Sequence, residues 1–207
     1  MKNNPIKTFN SWAEKNKDVG MEKNHSSSVN FMLQKIPSSI LSTKFSFLDL
    51  GCGNGWVVRK MNKNKNCIKS VGIDGAENMI KKATNLNPEL EYIKLDLDQL
   101  NYNEKFNIVF SMEVFYYLKD PLNTLKYIYT NMINYNGFFI MGIDHYLDNK
   151  PSLKWPKDLD LNLQTLSIDD WVKMVQLAGF SKVKYKQFGA KENWAGTLVI
   201  YAQKRAN

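Results

Sequence analysis

The chain has 207 residues, 43% of them hydrophobic, which is enough to bury the core of a single domain. Its formal net charge is +8, but only Arg59 and Arg205 are arginines, and bidentate recognition of phosphates and bases favours arginine. We therefore interpret the charge as a solvated lysine surface. The sequence has no apolar run of about 18 residues that could span a membrane. Its two cysteines form neither a metal-binding set nor a disulfide framework.

Two helices are predicted before the first strand. In the polar N-terminal segment, Phe9 and Trp12 are isolated apolar anchors, and helix is predicted around residues 8–17. A second helix is predicted to begin at a serine cap, residues 26–28, and to end before Pro37. It carries apolar side chains at helical spacing: Val29, Met32, Leu33 and Ile36.

A glycine-rich turn follows the first predicted strand. The apolar run of residues 45–50 ends in Gly51, Gly53 and Gly55, and a helical pattern follows. Glycines allow positive φ and a close approach of the backbone to a ligand, and the N-terminus of the next helix attracts anionic groups. A dinucleotide fingerprint would need Gly or Ala where Trp56 stands, and a Walker loop would need Lys followed by Ser or Thr. The turn therefore predicts a ligand-binding loop that is neither a dinucleotide fingerprint nor a Walker loop.

The next two predicted strands end in acids. Residues 68–74 predict a strand that ends in Asp74, 23 positions beyond the first glycine of the turn, and an acid there can bind both ribose hydroxyls of an adenosine. The alternative is that Asp74 caps the helix predicted for residues 76–84. Residues 91–96 predict the third strand, which ends in Asp96. Because ligands of open α/β sheets bind at the carboxyl ends of the strands, these acids predict one site at that edge.

The second half of the chain continues the alternation of strand and helix. The remaining predicted elements are a strand at 106–111, an amphipathic helix at 122–133, a turn at 136–137, a strand at 138–143, a helix from Ser167 to Ala178, and an antiparallel hairpin of strands at 183–188 and 197–202 with Trp194 in its loop.

A long loop lies between the fifth strand and the last helix. Residues 146–166 show no clear periodicity, and they contain Pro151, Trp155 and Pro156. Loops of this length in compact domains are usually functional or disordered, and the prolines and tryptophan favour an ordered loop.

The segment FLDLGCGNGW at residues 47–56 resembles motif I of the class I S-adenosylmethionine (SAM)-dependent methyltransferases, which reads hydrophobic-Asp-hydrophobic-Gly-x-Gly-x-Gly. The resemblance implies a Rossmann-like, doubly wound α/β fold whose seven-stranded sheet has the order 3-2-1-4-5-7-6, with strand 7 antiparallel. It implies SAM as the cofactor and S-adenosylhomocysteine (SAH) as its product. The residues implied to hold SAM are Asp49, Gly51, Gly53, Asn54 and Gly55 in the loop, Asp74, Gly75 and Met79 after the second strand, Asp96 and Leu97 after the third, and Ser111 at the end of the fourth.

The segment SMEVFYYLKDP at residues 111–121 resembles motif IV of the small-molecule members of this family. Tyr116 and Tyr117 stand in the region where that subgroup often carries His, which removes one obvious general base. The Asn/Asp-Pro-Pro-Tyr/Phe signature of amino-group DNA and RNA methylases is absent. The resemblance therefore favours a small-molecule acceptor.

Methyl transfer from a sulfonium requires positioning and exclusion of water, and no metal is expected. Aromatic side chains near a cationic group contribute about 0.5–2 kcal/mol each. The residues expected to surround the substrate are Tyr116, Tyr117, His145, Trp155 and Trp12. His145, which follows the fifth strand, is the first candidate for a catalytic base and Tyr117 the second. Met21 and His25 of the N-terminal helices could also line the site, but the favoured interpretation of His25 is a solvated residue at the start of a helix.

We expect residues 1–207 to form one domain, with residues 1–40 as a helical lid over the cofactor and residues 146–166 as a loop on the substrate side. The leading hypothesis is methyl transfer to a small-molecule amine, thiol or hydroxyl. The alternatives are an RNA or protein methyltransferase, and a non-catalytic regulator that binds SAM or a nucleotide. Nucleic acid is the less favoured partner. A monomer or homodimer is expected. A cytoplasmic location is expected because residues 1–10 lack the apolar core of a signal peptide.

Overall fold

The computed structural model describes residues 3–205, which are built around one seven-stranded sheet. Its strands are β1 (Phe45–Leu50), β2 (Cys67–Asp74), β3 (Glu91–Lys94), β4 (Phe106–Met112), β5 (Ile133–Ile143), β6 (Ser181–Phe188) and β7 (Thr197–Gln203). Their order is β3-β2-β1-β4-β5-β7-β6, and β7 runs antiparallel to both neighbours, β5 and β6. The other neighbouring pairs are parallel. The predicted fold class, strand order and antiparallel strand are confirmed.

Eight α-helices within residues 3–205 surround the sheet. They are α1 (Pro5–Glu14), α2 (Val19–Leu33), α3 (Ser38–Leu41), α4 (Trp56–Asn62), α5 (Glu77–Leu86), α6 (Pro121–Tyr127), α7 (Trp155–Asp158) and α8 (Ile168–Leu177). Local sequence sets several of the starts: the Ser167 hydroxyl accepts the N–H of Asp170 at 3.1 Å, and Asp120 accepts the N–H of Asn123 at 2.9 Å. None of the helices in this part of the chain is long and apolar enough to cross a membrane.

Apolar side chains fill both faces of the central strands. In β1, Phe47 and Leu48 are both fully buried although successive side chains point to opposite faces. On one face, Phe47 packs in a core with Val29 of α2 and Val57 of α4. On the other, Leu48 belongs to a core that includes α6 and α8. Covering a parallel sheet on both sides leaves its carboxyl edge as the place where a ligand can enter.

Two predicted boundaries are wrong. Helix α2 begins at Val19, so the serines at 26–28 lie inside it and do not cap it. A serine can sit inside a helix when its hydroxyl bonds back to the preceding turn, and the Ser26 hydroxyl donates to the Lys23 carbonyl at 3.5 Å. The predicted turn at Asn136 lies within β5: its φ of 60° accompanies a register shift against β4, so the strand continues through the irregularity.

Candidate active site

The carboxyl ends of the strands open into one cavity of about 940 Å³, near the upper end of the range for ligand pockets. Helices α1 and α2 cover it on one side, and the segment from α7 to residue 164 covers it on another. Of the predicted site residues, those lining the cavity are Trp12, Gly51, Gly53, Asp74, Gly75, Met79, Asp96, Leu97, Tyr116, Tyr117 and Trp155. The cavity therefore brings the predicted cofactor and substrate sides together.

The glycine turn contributes to the cavity unequally. Gly51 and Gly53 line it, with φ of 75° and 53°. Gly55 does not line it: with φ of 78°, it lies beneath Tyr92, whose ring would be 2.4 Å from a Cβ at this position. Gly55 is thus required by packing within the protein, and its predicted contact with the cofactor is not supported.

Asp74 lines the cavity and also holds the glycine turn. Its Oδ2 accepts the N–H of Gly53 at 2.9 Å, and its Oδ1 accepts the N–H of Ala76 at 2.7 Å. Burial raises the pKa of Asp74, and the two N–H bonds act in the opposite direction. Each carboxylate oxygen can accept a second hydrogen bond, so the capping geometry leaves acceptor capacity for a ligand hydroxyl.

Asp49 lies beneath the turn and outside the large cavity. It is 2% exposed and lines a small neighbouring cavity of about 40 Å³ together with His25 and Glu113. Burial, and then the charge of Asp74, raise the pKa of Asp49 well above its usual range. No ion pair found within residues 3–205 involves Asp49. A cation bound near the turn would reduce the cost of this buried charge.

These features fit the SAM that the sequence motif implies. A SAM molecule carries an ammonium and a sulfonium, which suit buried acids, and two ribose hydroxyls, which suit the free acceptor capacity of Asp74. Asp96 lines the cavity, with its Oδ1 accepting the N–H of Asp98 at 3.0 Å, and Leu97 beside it is 8% exposed.

Two predicted cofactor residues lie elsewhere. Ser111 is 1% exposed, and its hydroxyl donates to the Leu50 carbonyl at 2.8 Å, so it joins β4 to β1. The Asn54 side-chain amide donates to Asp18 at 3.1 Å. Asp18 is in turn paired with Lys82 of α5 at 2.6 Å. Neither Ser111 nor Asn54 lines the large cavity; Asn54 instead helps to attach the segment between α1 and α2 to the glycine turn.

Aromatic rings form the wall on the substrate side. The Phe9 ring of α1 meets Tyr117 and Trp12 edge-on, with both centroid distances at 5.2 Å. On the opposite side, the Trp155 ring lies 6.4 Å from Tyr116 and 6.2 Å from Trp194. Phe9 and Trp194 line the cavity in addition to the predicted aromatics. Such a wall favours apolar or cationic groups.

The predicted catalytic role of His145 is not supported. The residue is fully buried and does not line the cavity. Its Nδ1 lies 3.0 Å from the Ser152 carbonyl and its Nε2 2.8 Å from the Thr165 hydroxyl, so both ring nitrogens have protein partners. Burial lowers the pKa of His145. Its ring instead packs behind the aromatic wall, 6.0 Å from Trp155.

Tyr117 lines the cavity but is poorly suited to act as a base. Burial raises the pKa of its phenol well above its usual range, which keeps the hydroxyl protonated at neutral pH. Its oxygen lies 3.3 Å from the Tyr116 hydroxyl. We therefore assign Tyr117 to the wall of the cavity.

Sequence reasoning missed several acids that line the cavity, among them Glu113 and Asp144, which directly follow strands. Glu113 follows β4 directly with φ of 60°, an unfavourable conformation for a side chain that is not glycine. Its Oε2 accepts the Tyr116 hydroxyl and its Oε1 accepts the backbone N–H of Asp144, both at 2.6 Å. Asp144 follows β5 directly. The signal that could have found both is their position immediately after a strand, at the same edge as Asp74.

Electrostatics mark this pair of acids as unusual. Burial, and then the charge of Asp144, raise the pKa of Glu113 well above its usual range. Burial also raises the pKa of Asp144, while Thr197 and His25 oppose that shift. His25 lines the cavity from within α2, so its interpretation as a solvated residue at a helix start is wrong. Burial lowers the pKa of His25, partly offset by Asp144.

Comparison with known proteins agrees with this geometry. Residues 48–141 match the methyltransferase-domain family. Malonyl-[acyl-carrier protein] O-methyltransferase 1 of Ilyobacter polytropus is 23% identical over 157 residues, which cover 73% of this chain and 56% of that protein. The chain thus spans little more than half the length of this relative.

Solved structures share the whole fold. One is a methyltransferase in complex with the Trm112 methyltransferase activator of Haloferax volcanii, with a TM-score of 0.83 and 22% identity over 96% of this chain and 98% of that chain. Another, from Thermotoga maritima, is a SAM-dependent methyltransferase named as a possible histamine N-methyltransferase, with a TM-score of 0.71 and 17% identity over 96% of this chain and 98% of that chain. Residues 48–141 thus match a methyltransferase domain, and the chain as a whole has the fold of these SAM-dependent methyltransferase structures.

Proposed function

We propose that this chain binds SAM and catalyses transfer of its methyl group to a small-molecule nucleophile. The observation that carries the proposal is the single cavity of about 940 Å³, which joins the glycine turn and strand-end acids to a wall of aromatic rings. When bound, SAM supplies an electrophilic methyl group on a sulfonium.

The cofactor half of the cavity would use the first three strands. Gly51 and Gly53 would let the backbone approach the methionine end, with Asp49 beneath it as the buried negative charge. Asp74 would accept the ribose hydroxyls, and Asp96 with Leu97 would contact the adenine. The remaining members of this half, Gly75 and Met79, would contact the nucleoside.

The substrate half would position the acceptor and exclude water. Helix α1 closes over the nucleoside side, where Ile6 lies so near Gly75 that a Cβ there would come within 2.7 Å of it. At the other side of the opening, the Asn3 N–H donates to the Asp160 carbonyl at 2.8 Å, so the start of the lid is attached to the segment after α7. A cavity covered on these two sides favours a small acceptor, because positioning is most effective when solvent and alternative poses are excluded.

The RNA or protein methyltransferase remains the alternative, and the acids of the cavity weigh against a polyanion. Glu113, Asp144 and Asp74 would repel a phosphate backbone at the reacting centre. RNA affinity measured against salt concentration separates the two: non-specific binding to the lysine surface should weaken by several orders of magnitude between low and physiological salt. Sub-micromolar, sequence-dependent binding at physiological salt would favour the alternative.

The direct test of the proposed function is calorimetry with SAM, SAH and NAD. SAM and SAH should bind and NAD should not, because the turn lacks the dinucleotide pattern. Binding of NAD without binding of SAM would refute the proposal. Incubation with SAM and a library of small nucleophiles, with SAH formation as the readout, then distinguishes an enzyme from a binding-only regulator. This assay should include a Trm112-type activator, because the similar Haloferax chain was solved with one.

A further inference from the structure

Glu113 and Asp144 follow the neighbouring strands β4 and β5 and lie side by side on the substrate side of the cavity. Glu113 accepts the backbone N–H of Asp144 at 2.6 Å, so the two residues are in direct contact. The second oxygen of Glu113 is fixed by the Tyr116 hydroxyl, also at 2.6 Å. The positive φ of Glu113 shows that the backbone is held in an unfavourable conformation to present this carboxylate here.

Asp144 retains an oxygen without a protein partner. Its side chain lines the cavity, the residue is 8% exposed, and its Oδ1 is buried and receives no hydrogen bond from the protein. Leaving a buried carboxylate oxygen unpaired is unfavourable, and such atoms in natural proteins are explained by a functional role, by strain or by a bound water or ion.

Across the described part of the chain, no lysine or arginine is paired with Glu113 or Asp144. His25 faces the same region, but burial lowers its pKa, which favours the neutral imidazole. Lys119 lines the cavity beside Asp98, whose carboxylate accepts the backbone N–H of Lys119 at 2.8 Å, so it belongs to the adenine side.

We propose that Glu113 and Asp144 bind the ammonium group of a cationic amine, and that this amine is the methyl acceptor. The proposal rests on the function proposed above and specifies its substrate class. The Asp144 carboxylate would turn within the cavity to accept one N–H of the ligand, and the Glu113 carboxylate would provide the second charge. The surrounding rings of Tyr116, Tyr117 and Trp155 add cation–π attraction to the same group.

The same residues disfavour an anionic acceptor. A carboxylate placed against Glu113 and Asp144 would meet like charges in a buried site. A malonyl thioester carries such a carboxylate, so the acceptor named for the curated relative is not the one this cavity suits.

Transfer to an amine needs one proton to leave first, because an ammonium nitrogen has no free lone pair. The neutral His25 imidazole, which lines both the large cavity and the small one containing Glu113, would relay that proton to solvent. The nitrogen lone pair would then form the new C–N bond with the methyl group that SAM supplies, and the electron pair of the broken S–C bond would stay on sulfur. The charged imidazolium is stabilised by the nearby Asp144 until it releases the proton to solvent.

The test compares three probes of similar size and different charge: 2-phenylethylamine, 2-phenylethanol and phenylacetate. Each is titrated by calorimetry into the protein saturated with SAH. The amine should bind at least about tenfold more tightly than the alcohol, and phenylacetate should bind most weakly. Asp144→Asn keeps the shape of the side chain and removes the charge, and should reduce amine affinity by about tenfold or more while changing alcohol affinity less than about threefold.

The matched control is Asp158→Asn, which removes one charge from an exposed residue of the same cavity. It should change amine affinity by less than about twofold, because exposed charges are screened. Glu113→Gln provides a second variant at the site, and its SAH affinity and thermal unfolding report whether it folds.

The outcomes separate this inference from the proposed function. A wild-type protein that binds no SAH refutes the proposed function itself. Normal SAH binding with equal affinity for amine and alcohol refutes the amine site, as does tighter binding of phenylacetate. Equal losses in Asp144→Asn and Asp158→Asn would show general electrostatic attraction and would also overturn the inference.

Discussion

Substitution of Asp74 should affect both the stability of the protein and its affinity for SAH, because the carboxylate has two structural partners besides its proposed ligand. It accepts the backbone N–H groups of Gly53 and Ala76 at 2.9 and 2.7 Å. Hydrogen bonds to charged groups contribute roughly 1.5–3 kcal/mol each. The gain is partly offset because burial raises the pKa of Asp74, which means that its charge is costly to bury.

We expect Asp74→Ala to lower the free energy of unfolding by about 2–3 kcal/mol, as two N–H groups lose their acceptor. SAH affinity should fall by a further 1–3 kcal/mol or so, which is about fivefold to 150-fold, because the ribose hydroxyls also lose theirs. The stability effect is larger than the strand-tip position alone predicts. Urea denaturation measures the first quantity, and calorimetry with SAH on protein confirmed as folded measures the second.

Asp74→Asn provides the comparison variant. It keeps one carbonyl acceptor but places an NH₂ group against an N–H donor, so it should lose less stability than Asp74→Ala and still bind SAH weakly. Unchanged stability in Asp74→Ala would refute the role of Asp74 in holding the turn. Unchanged SAH affinity in a folded variant would refute its role at the ribose and leave it as a helix cap.

The other predictions concern one buried acid, one buried histidine and the attachment of the lid. Burial raises the folded-state pKa of Asp49 above its unfolded value of about 3.9, so the free energy of unfolding decreases as pH rises from there through the folded pKa. Asp49→Asn should therefore stabilise the ligand-free protein at pH 7, on the order of 1–3 kcal/mol, stabilise it little below about pH 4, and weaken SAM binding. His145→Ala should cost about 2–4 kcal/mol of stability, since it removes a buried ring with two hydrogen-bond partners, and should change SAH affinity less than about threefold. Asp18→Ala removes the acceptor shared by Asn54 and Lys82 and should speed proteolysis within the lid at least about tenfold, with SAH restoring protection only in part.

Each of these has a result that contradicts it. Denaturation curves of Asp49→Asn that match the wild type at both pH values would mean that the buried charge is not costly. A His145→Ala protein of normal stability that cannot turn over a substrate would return this histidine to catalysis. For the lid, Glu14→Ala is the control, because it removes only an exposed bond to Asn78; equal proteolysis of both variants would deny Asp18 a special role.

The parts of the fold predicted best are those with a local signal. The order of the sheet came from the family resemblance, which the glycine turn after β1 and the acids after β2 and β3 carried; each of these motifs marks the carboxyl end of a parallel strand. The start of α2 could not be read in the same way. Its first residues, from Val19, depend on Asp18 being buried against Lys82 of α5, which is a contact between segments distant in the chain.

The cofactor half of the site was predicted more completely than the substrate half for the same reason. Gly51, Gly53 and Asp74 act through backbone geometry that their own sequence neighbours determine. The choice between Asp144 and His145 depended on which of two adjacent side chains faces the cavity. In the structure Asp144 lines it, while His145 bonds to Ser152 and Thr165 in the loop that the sequence left without regular structure.

The protein as a whole is positively charged, whereas its cavity is lined by acids. The chain has a formal net charge of +8, yet acids stand at or just beyond the carboxyl ends of five consecutive strands in the sheet: Asp49, Asp74, Asp96, Glu113 and Asp144. The exposed lysines are screened by salt within about 10 Å, whereas charges in a buried cavity act at low dielectric. The ligand that the site selects should therefore be positive even though the protein as a whole would attract anions. Asp49 provides a negative charge close to the site implied for the methionine end of SAM. Glu113 and Asp144 form a second negatively charged site, at which an amine could meet the methyl group.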